Sequence, residues 1–246
     1  KDSYLMPSNL SSSDQAKFLA AKRACEFVHN GMKLGLGTGS TAAWMVRCLA
    51  ERVNKEGLKV KGVPTSIQTA NLAKKLGIEV ITLDTAGQLD LTIDGTDEFD
   101  GNLSLIKGAG GALLREKIVA SASNKMIVIA DDAKGVERLG RFPLPVEVVN
   151  FGFKSSQLLI QALLEFQDVD SSIIKTRMAG DLPFVTDEGN HILDLYLGRI
   201  GDAAALSLAL NQVPGVVENG LFVKLCDVVI VGLADGTVKE KTTASN

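Results

Sequence analysis

The sequence has little of what a metal centre, a membrane span or a nucleic-acid surface requires. Only two histidines, His29 and His191, occur in 246 residues. The three cysteines, Cys25, Cys48 and Cys226, are an odd number with long spacings and no CxxC pair. Zinc and copper sites draw on clusters of these residue types, so no metal ligand set is expected. The cysteines read as buried reduced thiols of a cytoplasmic protein. Scarce histidine also turns the search for a general base toward Asp and Glu. No apolar run approaches the ~20 residues that span a bilayer. The opening KDSYLMPSNLSSSD has neither the charged nor the apolar region of a signal peptide, and Met6 within it is a candidate native start. Lys and Arg number 26 against 29 Asp and Glu, a net charge of −3, so the basic excess that neutralises nucleic-acid phosphates is missing. Neither a nucleic acid nor a membrane is an expected partner.

What is present is an aliphatic globule: 46% hydrophobic residues, 22% charged and 5% aromatic. Its length suits one large domain, or one domain with a smaller insert. Ser12 with Gln15 reads as a capping box ahead of Phe18, Ala21, Cys25 and Val28 at helical spacing, and Asn30-Gly31 reads as the stop. A strand at 33–36 enters a glycine-rich turn. A second helix follows, with Ala42, Val46, Leu49, Ala50 and Val53 on one face. Strands are expected at 60–63, 79–83, 91–94 and 125–130, and helices at 67–76 and 113–121. This alternation implies a parallel sheet covered on both faces, with the active site outside the carboxyl ends of its strands. The two prolines of RFPLPVEV (141–148) read as a connection. Beyond them a helix at 155–166, strands at 173–178, 184–185 and 191–197, the turn TDEGN (186–190), a helix at 202–211 and a strand at 216–217 make an α+β unit. LCDVVIVG (225–232) then returns as a buried strand. The expected domains are 1–139 plus 217–246, and a small insert at 140–216.

Three segments carry chemistry. GLGTGST (35–41) lies between a strand and a helix start. Its glycines let backbone approach an anion, the helix amides and dipole favour negative charge, and Thr38, Ser40 and Thr41 add hydroxyls. Its glycine spacing is not that of a dinucleotide loop, and no Walker lysine follows. DGTDEFD (94–100) places four acids in seven residues after an apolar stretch. Such a cluster suits Mg²⁺ coordination, sugar hydroxyls, proton transfer or a solvated turn. KGAGGALLREK (107–117) is a second glycine loop, opened by Lys107 and followed by Glu116. That pairing suits a base and an electrostatic stabiliser, although Glu116, flanked by Arg115 and Lys117, taken alone reads as an exposed helix residue. Together the three suit a phosphorylated polyhydroxy compound, which offers a phosphate, hydroxyls and an acidic C–H.

These segments, with ADDAKGV (130–136), RFPLPVEV, TDEGNHILD (186–194) and PGVVENGLF (214–222), resemble the type A ribose-5-phosphate isomerases over nearly the whole chain. The resemblance implies a Rossmann-like parallel-sheet domain with a smaller, inserted α+β domain of ferredoxin-like type. It implies a homodimer or higher homo-oligomer, interconversion of ribose 5-phosphate and ribulose 5-phosphate in the pentose phosphate pathway, and no cofactor. It places the catalytic base at Glu116, with Asp94, Asp97 and Lys107 as catalytic partners. Substrate contacts fall on Lys17, Thr38, Gly39, Ser40, Thr41, Asp94, Gly95, Thr96, Asp97, Lys107, Gly108, Ala109, Gly110 and Lys134. Ala109 departs from the glycine common in the family, and is tolerable unless that position needs positive φ.

The mechanism expected is transfer of a proton from C2 to C1 by Glu116 through an enediolate that Lys107 stabilises. Two other readings compete. A glucosamine-6-phosphate deaminase-like enzyme shares the phosphate loop but not KGAGGALLREK in this form. A non-catalytic sugar-phosphate sensor needs a DNA-binding unit that the sequence does not offer. A nicotinamide-dependent dehydrogenase is disfavoured by the glycine spacing and because no acid sits at the expected end of the second strand, where KVKGVPTS (59–66) reads basic and neutral.

Overall fold

The computed structural model describes residues 10–242, so Met6 lies outside the described residues. The chain forms two compact units. Of the described residues, the first comprises 10–96, 115–135 and 225–242, and the second 97–114 and 136–224. The stretch 140–216, expected as the small domain, lies within the second unit. No described helix is long and apolar enough to cross a membrane.

The first unit is built on a seven-stranded sheet. Across it the strands run Val238–Thr242, Val228–Gly232, Met126–Asp131, Leu91–Gly95, Lys33–Leu36, Lys61–Pro64 and Glu79–Val80. All pairings are parallel except that of the first strand, which is antiparallel. Numbered along the chain, the six parallel strands stand in the order 3-2-1-4-5-6, the doubly wound pattern. Its switch point falls between Lys33–Leu36 and Leu91–Gly95, where successive strands begin to add on the other side.

Sequence explains these strands directly. MIVIAD, LTIDG and VVIVG are buried at every position, as strands covered on both faces must be. The outer strand VKEKT is mostly exposed, and its lysines blunt an edge that would otherwise pair with other chains. The first helix, Ser12–Cys25, is capped by Ser11, whose hydroxyl accepts from the Asp14 N–H; Ser12 is its first residue. It ends five residues before Asn30-Gly31, because Cys25, Ala24 and Arg23 carbonyls accept tighter turn bonds. The stretch 79–83 divides: only Glu79–Val80 pairs, and Thr82 caps a short helix at Leu83–Ala86. All three cysteines are buried free thiols. Burial pushes the Cys48 thiol up to about 11 and raises that of Cys25 well above its ordinary value.

The second unit holds a four-stranded antiparallel sheet in the order Val216–Asn219, Leu144–Val148, His191–Tyr196 and Ile173–Thr176. With the helices Phe153–Leu164 and Ala203–Asn211 this is strand-helix-strand-strand-helix-strand in the spatial order 4-1-3-2, the ferredoxin-like arrangement. Leu206 and Leu210 of one helix, and Ile160 and Leu164 of the other, pack with Val146, Val148, Leu193 and Leu195 of the sheet. A small three-stranded sheet, Leu221–Phe222, Leu105–Ile106 and Glu98–Phe99, belongs to the same unit.

RFPLPVEV corrects the expectation of a connection: Leu144–Val148 is a strand with a partner on each side. Pro145 is tolerated because its carbonyl and its nitrogen face the side where the strand Val216–Asn219 has just ended. There the carbonyl accepts from the Gly220 N–H, and no ladder donor is lost. Residues 184–185 are in no strand; the short pairing lies at Met178–Ala179 with Leu182–Pro183.

Gly35 is closely packed in the first unit. A side chain on Gly35 would place its Cβ 2.0 Å from Thr92 Oγ1 and 2.5 Å from Val119 Cγ1. Gly35→Ala therefore overpacks the seam between sheet and helix, a change that costs about 1–3 kcal/mol. The expected fall in Tm is roughly 3–10 °C by calorimetry; an unchanged Tm contradicts this packing.

Candidate active site

The first unit assembles its polar residues at the switch point. The strand Lys33–Leu36 runs into Gly37, Thr38 and Gly39, and the helix Ser40–Glu56 starts at once. Gly39 has φ +107° and gives that helix no side-chain cap, so the first-turn amides face an exposed Gly39–Ser40 corner. Across the switch point, Asp94 is fully buried. Its Oδ1 accepts from the Thr38 N–H at 3.1 Å and from the Gly95 N–H at 2.7 Å. Gly37 packs directly on this carboxylate: a Cβ there would lie 2.1 Å from Asp94 Oδ1. The glycine is required by close approach, and the carboxylate fixes the loop.

Beneath the loop lies a hydroxyl cluster. Thr38 Oγ1 is 2.7 Å from Thr65 Oγ1, 2.9 Å from Ser66 Oγ and 3.3 Å from Thr69 Oγ1, and Thr69 Oγ1 donates to the Gly37 carbonyl. The Thr38 side chain thus anchors the loop from below, which leaves Gly39, Ser40 and Thr41 as the outward part. Thr65, Ser66 and Thr69 are site-supporting residues that sequence reasoning missed. Their signal was the hydroxyl-rich PTSIQT at the end of a strand.

Glu116 lies in the first turn of the helix Leu113–Ser121 and is 4% exposed, in contrast to its reading as a surface residue. Three contacts place it. Ser123, just past the helix, bridges to Leu89, before the strand Leu91–Gly95 begins. Val119 lies against Gly35. The helix therefore climbs from the amino to the carboxyl edge of the sheet as its numbering falls. Three residues above Val119 is a rise of about 4.5 Å, which brings Glu116 level with the residues after Leu36, the start of the glycine loop. Both Glu116 and Asp94 have further interactions; the atoms Glu116 Oε2 and Asp94 Oδ2 make no hydrogen bond.

Two lysines reach the same edge. Lys134 ends the 3-10 turn Asp132–Lys134 that follows the strand Met126–Asp131. Lys17 neighbours Ala16, whose carbonyl would be 1.9 Å from a Cβ on Gly232, the last residue of the strand Val228–Gly232. Lys17 Nζ also pairs with Asp14 at 3.6 Å. Glu116, Asp94, Gly95, Thr96, the 38–41 loop, Lys17 and Lys134 thus occupy one edge of one unit.

The second unit carries Asp97, Lys107, Gly108, Ala109 and Gly110. Asp97 is joined through the chain to Thr96, and its Oδ2 accepts from the Ala109 N–H at 2.9 Å, which ties the acidic segment to the second glycine loop. Lys107 is 2% exposed, with its Nζ 5.6 Å from the centre of the Phe222 ring. Gly108 and Gly111 have φ +111° and +75°, whereas Ala109 is not among the positive-φ residues, so alanine fits where the family commonly has glycine. The other two acids of DGTDEFD have separate work. Glu98, 1% exposed, accepts from the Gly140 and Phe142 N–H groups, and Asp100 Oδ1 accepts from those of Asn102 and Ser104. Among the described residues no three His, Cys, Asp or Glu side chains group as a metal site.

Known proteins resemble the chain closely. A family profile described as Ribose 5-phosphate isomerase A (phosphoriboisomerase A) matches residues 61–236. The Ribose-5-phosphate isomerase A of Ruegeria pomeroyi is 64% identical over 234 residues, 95% of this chain and 89% of that protein. Among solved structures, the ribose 5-phosphate isomerase from Plasmodium falciparum superposes with a TM-score of 0.89 at 37% identity, covering 94% of this chain and 100% of that one. A D-ribose-5-phosphate isomerase in complex with phospho-erythronic acid gives 0.87 at 38% identity, over 94% and 99%. With a profile that spans most of its length and a relative of this identity, the chain belongs to the ribose 5-phosphate isomerase A family.

Proposed function

We propose that this protein interconverts D-ribose 5-phosphate and D-ribulose 5-phosphate, with Glu116 as the base that moves a proton between C2 and C1. The observation that carries this reading is the placement of a buried carboxylate on the same sheet edge as the uncapped helix start at Gly39. Family membership supports it, and the isomerase names of the relatives disfavour the deaminase and sensor readings. The phospho-erythronic acid bound by a similar isomerase has the phosphate and acidic end that such an edge would accept.

The phosphate sits on the amides of Gly39, Ser40 and Thr41, where the helix dipole favours an anion, and Lys17 and Lys134 add positive charge. Asp94, Gly95, Thr96 and Asp97 hold the sugar hydroxyls and assist ring opening. Glu116 removes the C2 proton of the open aldose. The C–H electrons form the C1–C2 double bond of an enediolate as the carbonyl electrons move to O1. Lys107 and the backbone of Gly108, Ala109 and Gly110 stabilise that oxyanion. One of the aspartates carries the O2 proton to O1, and Glu116 returns its proton to C1. C1 is reduced as C2 is oxidised, so no external redox partner and no cofactor are needed. Remote binding of the phosphate restricts the sugar and so assists the chemical step.

We also assign the chain to the cytoplasm, on its three free cysteines. A homodimer is supported by exposed apolar side chains of the second unit, such as Phe151, Phe166 and Leu182.

Glu116→Gln keeps the shape and removes the base. Because general bases contribute ~10²–10⁴-fold, kcat in a ketose-formation assay is expected to fall by at least 10²-fold with KM little changed. Near-normal turnover rejects Glu116 as the base. Activity is also expected to survive exhaustive dialysis against EDTA. Loss of activity that Mg²⁺ restores would make the acidic segment a metal site and overturn the roles given to Asp94 and Asp97.

A further inference from the structure

We propose that Arg177, held by Asp194, is a positioning residue for the isomerisation: it fixes the glycine loop 108–111 so that its N–H groups, that of Gly110 above all, are aimed at the reacting oxygens. The inference rests on the isomerase reading above, and every contact that carries it lies within the second unit.

Arg177 follows the strand Ile173–Thr176, and Asp194 lies in the neighbouring strand His191–Tyr196. The two side chains are 14% and 15% exposed, and they pair through two parallel bonds, Nε to Oδ2 at 2.9 Å and Nη2 to Oδ1. Such a bidentate pair fixes the plane of the guanidinium. The backbone of Arg177 is fixed as well: its N–H donates to the Ile192 carbonyl, and its carbonyl accepts from the Phe184 N–H. The remaining nitrogen, Nη1, donates to the Gly108 carbonyl at 2.7 Å and to the Ala109 carbonyl at 3.1 Å.

Two consecutive carbonyls turned onto one cation have a geometric consequence. In a trans peptide the N–H points opposite to the carbonyl. The N–H groups of Ala109 and Gly110 therefore both face away from Arg177. That of Ala109 goes to Asp97, a residue already assigned to the substrate. That of Gly110 leaves on the same side, and Gly110 itself is exposed. Because the two carbonyls converge on one cation, the two N–H groups spread outward on the opposite side, that of Ala109 onto Asp97 and that of Gly110 beside it. The loop needs this external hold because Gly108 and Gly111, at φ +111° and +75°, give it freedom that ordinary residues lack. Phe184 closes the far end. Its ring atoms would lie 2.4 Å and 2.5 Å from a Cβ on Gly111, and the Arg177 guanidinium is 6.0 Å from its centroid. Arg177 and Phe184 thus support the loop from outside the segments that carry the family resemblance, and Asp194 from the end of one of them, TDEGNHILD.

The test compares the full-length wild type with Arg177→Lys, Arg177→Ala, Asp194→Asn and Glu116→Gln, with Tm recorded for each. Lysine keeps the charge but has no planar fork to hold two carbonyls and two carboxylate oxygens together. Arg177→Lys and Asp194→Asn are expected to lower kcat by about tenfold or more, with KM for ribose 5-phosphate nearly unchanged and with full activity not regained on assay far below Tm. Added guanidinium ion is expected to restore part of the activity of Arg177→Ala and none of that of Glu116→Gln. Wild-type kcat in Arg177→Lys and Asp194→Asn, or losses that vanish at low temperature, overturn the positioning role. Should Arg177→Ala fail to fold, the lysine and asparagine variants decide alone. If Glu116→Gln is inactive while Arg177→Lys is normal, only this inference falls. If Glu116→Gln is fully active, the isomerase assignment of the residues falls, and this inference with it.

Discussion

The carboxylate of Asp94 is the constraint on which the first unit's edge depends. It stands at the end of a fully buried strand, and its Oδ1 is bound by the N–H groups of Thr38 and Gly95. A hydrogen bond to a charged acceptor contributes about 1.5–3 kcal/mol; the one from Thr38 ties the two sides of the switch point together, and the one from Gly95 orients the carboxylate within its own strand. Gly37 must be glycine for that carboxylate to sit against its backbone. Once the joint is made, Gly39 has to turn at positive φ and the helix Ser40–Glu56 has to begin with its amides uncapped by any side chain. A helix start with no side-chain cap is thus a by-product of how one acid satisfies its hydrogen bonds. The hydroxyls of Thr65, Ser66 and Thr69 hold the same loop from below, so it is fixed before any ligand arrives.

The second unit works by the same economy of parts. Glycine supplies the shape of the 108–111 loop, and charged groups from ordered strands remove its freedom: Asp97 on an N–H, and Arg177 on two carbonyls. The acidic run 94–100 resolves into separate contacts. Its four acids face different partners, and Glu98 and Asp100 are structural, each closing a local turn or strand end through backbone N–H groups.

Much of this was legible in the sequence, for physical reasons that also explain the gaps. The central strands Met126–Asp131 and Val228–Gly232 announced themselves as apolar runs, and the helix Leu113–Ser121 was bounded as expected. The strand Leu144–Val148 was hidden by its prolines, because whether a proline breaks a ladder depends on where the partner strand ends, and the sequence does not carry that. The burial of Glu116 was hidden by its charged neighbours Arg115 and Lys117; only the packing of Val119 on Gly35 turns that face of the helix inward. The glycine loops and the acidic strand end were visible as composition. The hydroxyl cluster around Thr38 and the Arg177–Asp194 pair were not, since their members lie 27 to 31 residues from Thr38 and 17 residues apart, respectively, and meet only through the fold.

The most direct test of the central claim is a crystal structure of the protein soaked with a phosphorylated four-carbon sugar acid. The account predicts the phosphorus against the amides of Gly39, Ser40 and Thr41, with the carbon chain running to the Glu116 carboxylate at a near-attack separation of about 3–3.5 Å. A phosphate bound away from that helix start, or a Glu116 carboxylate out of reach of the ligand's carbons, would contradict it.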